Sequence, residues 1–114
     1  MRTASVERSP FLLDSSAILT LLEDEAGAAR VEEVILEEKT LLPWPVLLEV
    51  YYISQQEAGP AEADRRYALL KQLPCEILWQ IDESILLTAA RFKAEHRLSL
   101  ADALIAAFAR NHGA

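Results

Sequence analysis

Cysteine, histidine and glycine are all scarce in this chain of 114 residues, and each shortage removes a class of chemistry. The one cysteine, Cys75, permits no internal disulfide and fits a reducing, cytoplasmic setting. With His96 and His112 as the only histidines there is no Cys/His set for zinc. The glycines, Gly27, Gly59 and Gly113, are too few and too dispersed for a phosphate-cradling loop. A continuous apolar run is missing from residues 1–10, which carry Arg2, Glu7 and Arg8, so neither a signal peptide nor a membrane anchor is expected.

What the chain does have is apolar content. At 52% hydrophobic and 25% charged residues, it reads as one compact domain across residues 1–114, long enough to bury a core without staples. The net charge of −7 argues against a nucleic-acid partner, because phosphate contacts come from Lys and Arg. Its distribution weakens that objection: residues 1–57 hold eleven acids and four bases, whereas residues 58–114 hold seven of each. In the neutral half, Arg91, Lys93, Arg97 and Arg110 are candidates for phosphate contacts. The acidic runs Glu23-Asp24-Glu25, Glu32-Glu33 and Glu37-Glu38 read as solvated helix faces, with a docking face for a basic partner as the alternative.

Along the chain, short apolar runs alternate with helical periodicity. Phe11 to Asp14 reads as a strand ended by Ser15-Ser16, followed by a helix carrying Ile18, Leu19, Leu21 and Leu22. A second helix, from about Ala26 to Glu38, sets Val31, Val34 and Ile35 on one face. Thr40 to Pro43 is a second strand, and Pro45 suits the first turn of a third helix that runs to about Glu57 and is broken by Gly59-Pro60. A fourth helix from about Ala61 to Leu73 turns Tyr67, Leu70 and Leu73 inward, before a third strand from Cys75 to Trp79. A fifth helix is lined by Ile85, Ala89 and Phe92, and a sixth opens at Ser99 and reaches about Asn111. Strands separated by helices imply an α/β fold, a parallel sheet with helices on both faces.

Three acids stand alone in apolar stretches: Asp14 after Phe11-Leu12-Leu13, Glu49 within Val46 to Val50, and Asp102 within Leu100 to Leu104. A buried unpaired carboxylate costs several kcal/mol or takes up a proton, so such residues need a partner. No Lys or Arg close in sequence serves each of them, and one shared metal ion would serve all three. Each has a structural alternative. Asp14 can cap the first helix, although Ser15 or Ser16 could do so equally. Glu49, well inside its helix, can be a buried hydrogen-bonded or ion-paired group. Asp102 fits a capping box with Ser99 as N-cap.

Other candidates carry less. Cys75 on an apolar strand reads as packed core, and both histidines as exposed helix-end residues. Ser15-Ser16 lacks a nucleophile elbow and a base. Trp44, Tyr51 and Tyr52 could stack on bases, but at helical spacing beside valines and leucines they suit core or subunit contact better.

Phe11-Leu12-Leu13-Asp14-Ser15-Ser16 resembles the opening strand of PIN domains, the nuclease fold of the VapC-like toxin ribonucleases of toxin–antitoxin pairs. Pro45 to Tyr52 is similar to that family's third-helix motif with the second acid, and Leu98 to Ala109 to its third-acid motif. The resemblance implies a three-layer fold around a central parallel sheet and metal-dependent cleavage of RNA. Asp14, Glu49 and Asp102 would be the catalytic residues holding Mg²⁺ or Mn²⁺, with Ser16 orienting Asp14. A water made more acidic by the ion would attack the phosphodiester. An antitoxin protein and a second copy of the chain are the implied partners besides RNA. One departure is visible: the family places a further Asp on a strand after the sixth helix, where this sequence reads His112-Gly113-Ala114. The expectation is a C-terminally short PIN-like domain lacking its last strand or strands, with Phe11 to Asp14 left as an open sheet edge. The alternative is a catalytically silent PIN-like module that binds a partner protein. A phosphotransfer domain using Asp14 as nucleophile is weaker, lacking an Asp-x-Asp pair.

Overall fold

The computed structural model describes residues 8–114. Three parallel strands, β1 (Phe11–Leu12), β2 (Thr40–Pro43) and β3 (Glu76–Leu78), form one sheet in that order. Helices α1 (Ser15–Leu22) and α2 (Ala28–Glu37) join β1 to β2, and α3 (Trp44–Ala58) and α4 (Pro60–Gln72) join β2 to β3. Helices α5 (Glu83–Glu95) and α6 (Leu100–Asn111) follow β3. This is the expected α/β architecture, with bounds that differ from the sequence reading by a few residues at most.

The alternation of β2 explains the layering. All four of its residues are buried, and successive side chains point to opposite faces. Leu42 enters a cluster with Ile18, Ile35, Val46, Val50 and Leu70 from α1 to α4. Leu41 enters a second cluster with Ile85, Ala89 and Phe108 from α5 and α6. Each face of the sheet is thus covered by its own helical layer, and Leu13 extends the pairing by donating to the Leu41 carbonyl at 3.0 Å.

Helix boundaries follow their punctuation. Gly59 takes φ +87° between α3 and α4, a conformation costly for a side chain, and Pro60 starts the next helix where its missing N–H is not needed. The Cys75 thiol is half-buried, accepts from the Thr40 hydroxyl at 3.2 Å, and is pushed up by burial, as suits packed core. His96 and His112 are helix C-caps, both exposed. The acidic runs are mostly solvated, as expected.

Two expectations need adjustment. A helix apolar nearly all round, as Leu100 to Ala109 reads in sequence, should be buried; in the structure Ala103, Ile105, Ala107 and Phe108 are buried, while Leu100 is 65% exposed. Helix α6 packs on α5 and α3 with one side and lines an open cleft with Asp102, Ile105, Ala106 and Ala109, while Leu100, its first residue, lies outside both. The strand carrying Asp14 is also shorter than expected, because Asp14 already serves the following helix. Among the described residues β1 lies at the edge of the sheet, with β2 on one side and no strand on the other. No helix there is long and apolar enough to cross a membrane.

Candidate active-site cleft

A cleft of about 770 Å³ runs along the open edge of β1, and Asp14, Glu49 and Asp102 all line it. They arrive from three places: the N-cap of α1 just after β1, the second turn of α3 and the first turn of α6. Ile105, Ala106 and Ala109 of α6 form one wall, and Phe11 and Leu12 of β1 contribute another. Small alanines keep that wall open.

Each acid is held differently. Asp14 is the N-cap of α1 and accepts the Ala17 N–H at 2.8 Å. Glu49 is half-buried, and the buried Ser15 hydroxyl donates to its Oε1 at 2.5 Å. Asp102 is exposed; its own N–H donates to Ser99 Oγ at 3.1 Å, so Ser99 caps α6 as expected. The reciprocal bond of a capping box, from Ser99 N–H to the Asp102 carboxylate, does not form, and that carboxylate has no hydrogen-bond partner among the described residues. Asp14 and Asp102 both sit at helix N-termini, where the dipole stabilises an anion by on the order of 0.3–1 kcal/mol and offsets part of their mutual repulsion.

Several expectations are corrected here. Asp14 and Asp102 are exposed, so an unpaired buried charge is not what singles them out; only Glu49 is partly buried. The hydroxyl bonded to an acid is that of Ser15 rather than Ser16, and it holds Glu49 rather than Asp14. Ser16 lines the cleft, exposed. No Lys or Arg is among the described residues that line the cleft, so Arg91, Lys93, Arg97 and Arg110 stand outside it, and Lys93 instead ties the α5–α6 loop by donating to the Leu98 carbonyl at 2.8 Å. Trp44 and Tyr51 line a separate groove of about 560 Å³ with Trp79, and Tyr52 is exposed on α3.

The donors in the cleft are carboxylate and hydroxyl oxygens, which fit a hard divalent ion such as Mg²⁺ or Mn²⁺. Their spacing is looser than the chemistry alone suggests. Among the described residues no three carboxylate, imidazole or thiol groups stand close enough to hold one ion directly. Like charges facing one another across a wet cleft repel, and an ion that keeps several water ligands does not need all three in direct contact.

The model of the PIN domain family matches residues 11–114. The chain belongs to the PIN domain family. Solved structures resemble this PIN domain along most of its length. VapC20 of Mycobacterium tuberculosis, described as a sarcin–ricin loop cleaving toxin, superposes with a TM-score of 0.69 at 16% identity, over 92% of this chain and 84% of that one. A toxin–antitoxin complex from Klebsiella pneumoniae gives 0.67 at 22%, over 90% and 79%. VapBC2 of Rickettsia felis, bound to a DNA fragment from its promoter, gives 0.68 at 13%, over 88% and 80%. At such identities the likeness is one of fold. No curated protein matches this PIN domain in sequence.

Proposed function

We propose that this PIN domain, residues 1–114 taken as one unit, is a metal-dependent endoribonuclease and the toxin of a toxin–antitoxin pair. The observation that carries the reading is the meeting of Asp14, Glu49 and Asp102, from three elements far apart in sequence, in one cleft of a PIN fold. The three carboxylates hold Mg²⁺ or Mn²⁺. When bound, the ion supplies an acidified water as nucleophile and neutralises the phosphodiester. Ser15 fixes one oxygen of Glu49, which lines the cleft, and leaves the other for a further partner. Without a cation the three acids repel an RNA backbone, and among the described residues no basic side chain lines the cleft to offset them.

Relatives in fold are a toxin that cleaves RNA and two toxin–antitoxin assemblies, which supports RNA as substrate and an antitoxin protein as partner. The groove beside Trp44 and Trp79, with Leu48 and Tyr52 exposed nearby on α3, supports a homodimer. The setting is cytoplasmic.

A second reading, a silent PIN-like module that binds a partner protein, is favoured by one observation, the absence of three metal-holding groups in direct reach among the described residues. Incubating the purified chain with cellular RNA and Mn²⁺, with and without chelator, separates the two. The nuclease reading requires cleavage that chelator abolishes and that Asp102→Asn lacks. Intact RNA in every arm would leave the binding module.

A further inference from the structure

Arg66 is buried on α4, yet it serves nothing on its own helix alone. Its Nε donates to Glu62 at 3.0 Å, its Nη1 to Ser54 Oγ at 3.1 Å, and the same nitrogen faces Glu23 at 3.5 Å. Glu23 is the C-cap of α1, and Ser54 is a fully buried hydroxyl of α3. One guanidinium therefore joins the far end of α1 to α3 through α4. Its planar fork suits this role better than a lysine would, since separate N–H groups reach separate partners. Taking a charge out of water is costly unless it is paired, so an arginine here needs the geometry it has.

The near ends of the same two helices are joined by Ser15 and Glu49. Two helices pinned at one point can pivot about it. A second pin removes the pivot. The Ser15–Glu49 bond and the Glu23–Arg66–Ser54 bridge lie at opposite ends of α1, and between them they fix both the separation and the crossing of α1 and α3. Those helices present Asp14 and Glu49. We infer that Arg66 is a positioning residue for the acidic cleft: its bridge from Glu23 to Ser54 holds α3 against α1 so that Glu49 stands at its bonded distance from Ser15 in the cleft it shares with Asp14. This rests on the metal-dependent reading above.

The bridge explains two choices in the sequence. Ser54 lies where an apolar residue would otherwise pack between α3 and α4, and among the described residues its hydroxyl finds its side-chain partner in Arg66. Glu62, on the turn of α4 before Arg66, is gripped by Arg65 at 2.7 and 2.6 Å as well, so the guanidinium meets an anion that is itself fixed.

Three variants and two readouts test this. Arg66→Met removes the bridge, Arg66→Lys restores one charged arm, and Ser54→Ala removes one end with little change in volume. In metal-free protein, ¹³C shifts of the Ser15 β-carbon and the Glu49 carboxyl report the near pin. Mn²⁺ titration reports the site. For Arg66→Met both carbons should move and Mn²⁺ affinity should fall about tenfold in protein that is still folded, with partial recovery in Arg66→Lys and a smaller loss in Ser54→Ala. Variants that melt earlier yet keep the Ser15 and Glu49 shifts and the parent's Mn²⁺ affinity would show a merely structural bridge and overturn the inference. A parent chain that binds no Mn²⁺ would sink the metal reading, and the carbon shifts alone would then decide the role of Arg66. If Arg66→Met does not fold, Ser54→Ala carries the same decision.

Discussion

Glu49 and Asp102 line the same cleft from different helices and are held in opposite ways. Glu49 is half-buried on α3, fixed by a short bond from Ser15, in a region where α1, α3 and α4 are cross-linked by polar bridges. Asp102 stands exposed in the first turn of α6, and no hydrogen bond to its carboxylate is recorded among the described residues. One side is preorganised and the other free to rotate. The difference goes with three acids that share a cleft without forming, among the described residues, a direct three-group site. For the proposed nuclease it would also divide labour: the fixed side would set the location of an ion, and the exposed side would complete its binding.

Removing a carboxylate is the harshest way to break the comparison. Glu49→Gln and Asp102→Asn should each weaken Mn²⁺ binding by about 100-fold or more, since affinity at oxygen sites follows the count of charged ligands. Their effects on the fold should differ. Asp102→Asn relieves repulsion and leaves the Ser99 cap in place, so its melting temperature should hold or rise, whereas Glu49→Gln disturbs the bond from Ser15 and should lower it. Calorimetric Mn²⁺ titrations beside thermal melts in chelator measure both. Equal stability changes would mean that the two sides are not held differently.

The hydroxyls give a finer contrast. Ser15→Ala removes a bond to a charged group, an interaction of about 1.5–3 kcal/mol, and should cut Mn²⁺ affinity about tenfold. Ser99→Ala removes only a helix cap, about 1 kcal/mol, and should leave Mn²⁺ affinity nearly unchanged. Similar melts with dissimilar affinities would sharpen the distinction between a residue that positions a ligand and one that stabilises a helix. Asp14 combines the two roles, so Asp14→Asn should keep the cap and lose the ion, while Asp14→Ala should lose both, at a further cost of about 1 kcal/mol in thermal melts.

Much of this is legible in the sequence. β2 declared itself because Thr40 to Pro43 is a short apolar run closed by prolines, and α3 because Pro45 and Gly59 mark its two ends. Asp14, Glu49 and Asp102 were legible as lone acids, and the structure brings them to one cleft. The reason offered for them was only partly right: apolar neighbours in sequence do not bury a side chain at a helix N-terminus, where Asp14 and Asp102 lie exposed. The choice between Ser15 and Ser16 was not legible. It depends on which hydroxyl the first turn of α1 aims at α3, a matter of rotation about a helix axis. Arg66 escaped for a similar reason. Its spacing from Glu62 is readable, but Ser54 and Glu23 meet it only through tertiary packing.

The mildest test concerns protons. Hydrogen bonds from Arg65 and Arg66 hold the Glu62 carboxyl down from its ordinary 4.5 to about 2. A group whose pKa is lower in the folded chain stabilises that chain above its unfolded value and loses the contribution as pH falls towards the folded one. The window is therefore from about 4.5 down to about 2. Glu62 is partly solvated, and water screens the pair, so the effect should be the smallest of those considered. Comparing thermal melts of the parent with Glu62→Gln, the gap should be widest above about pH 5 and narrow steadily towards about pH 3, because protonation then does to the parent what the substitution does to the variant. High salt should narrow it as well. The α5–α6 side offers a control: Ser99→Ala removes an uncharged cap, so its gap from the parent should stay level across the same range. A Glu62→Gln gap as flat as that of Ser99→Ala would mean that the charged bridge on the α4 side adds nothing to holding α3, and the contrast between a pinned and a free side of the cleft would rest on Ser15 alone.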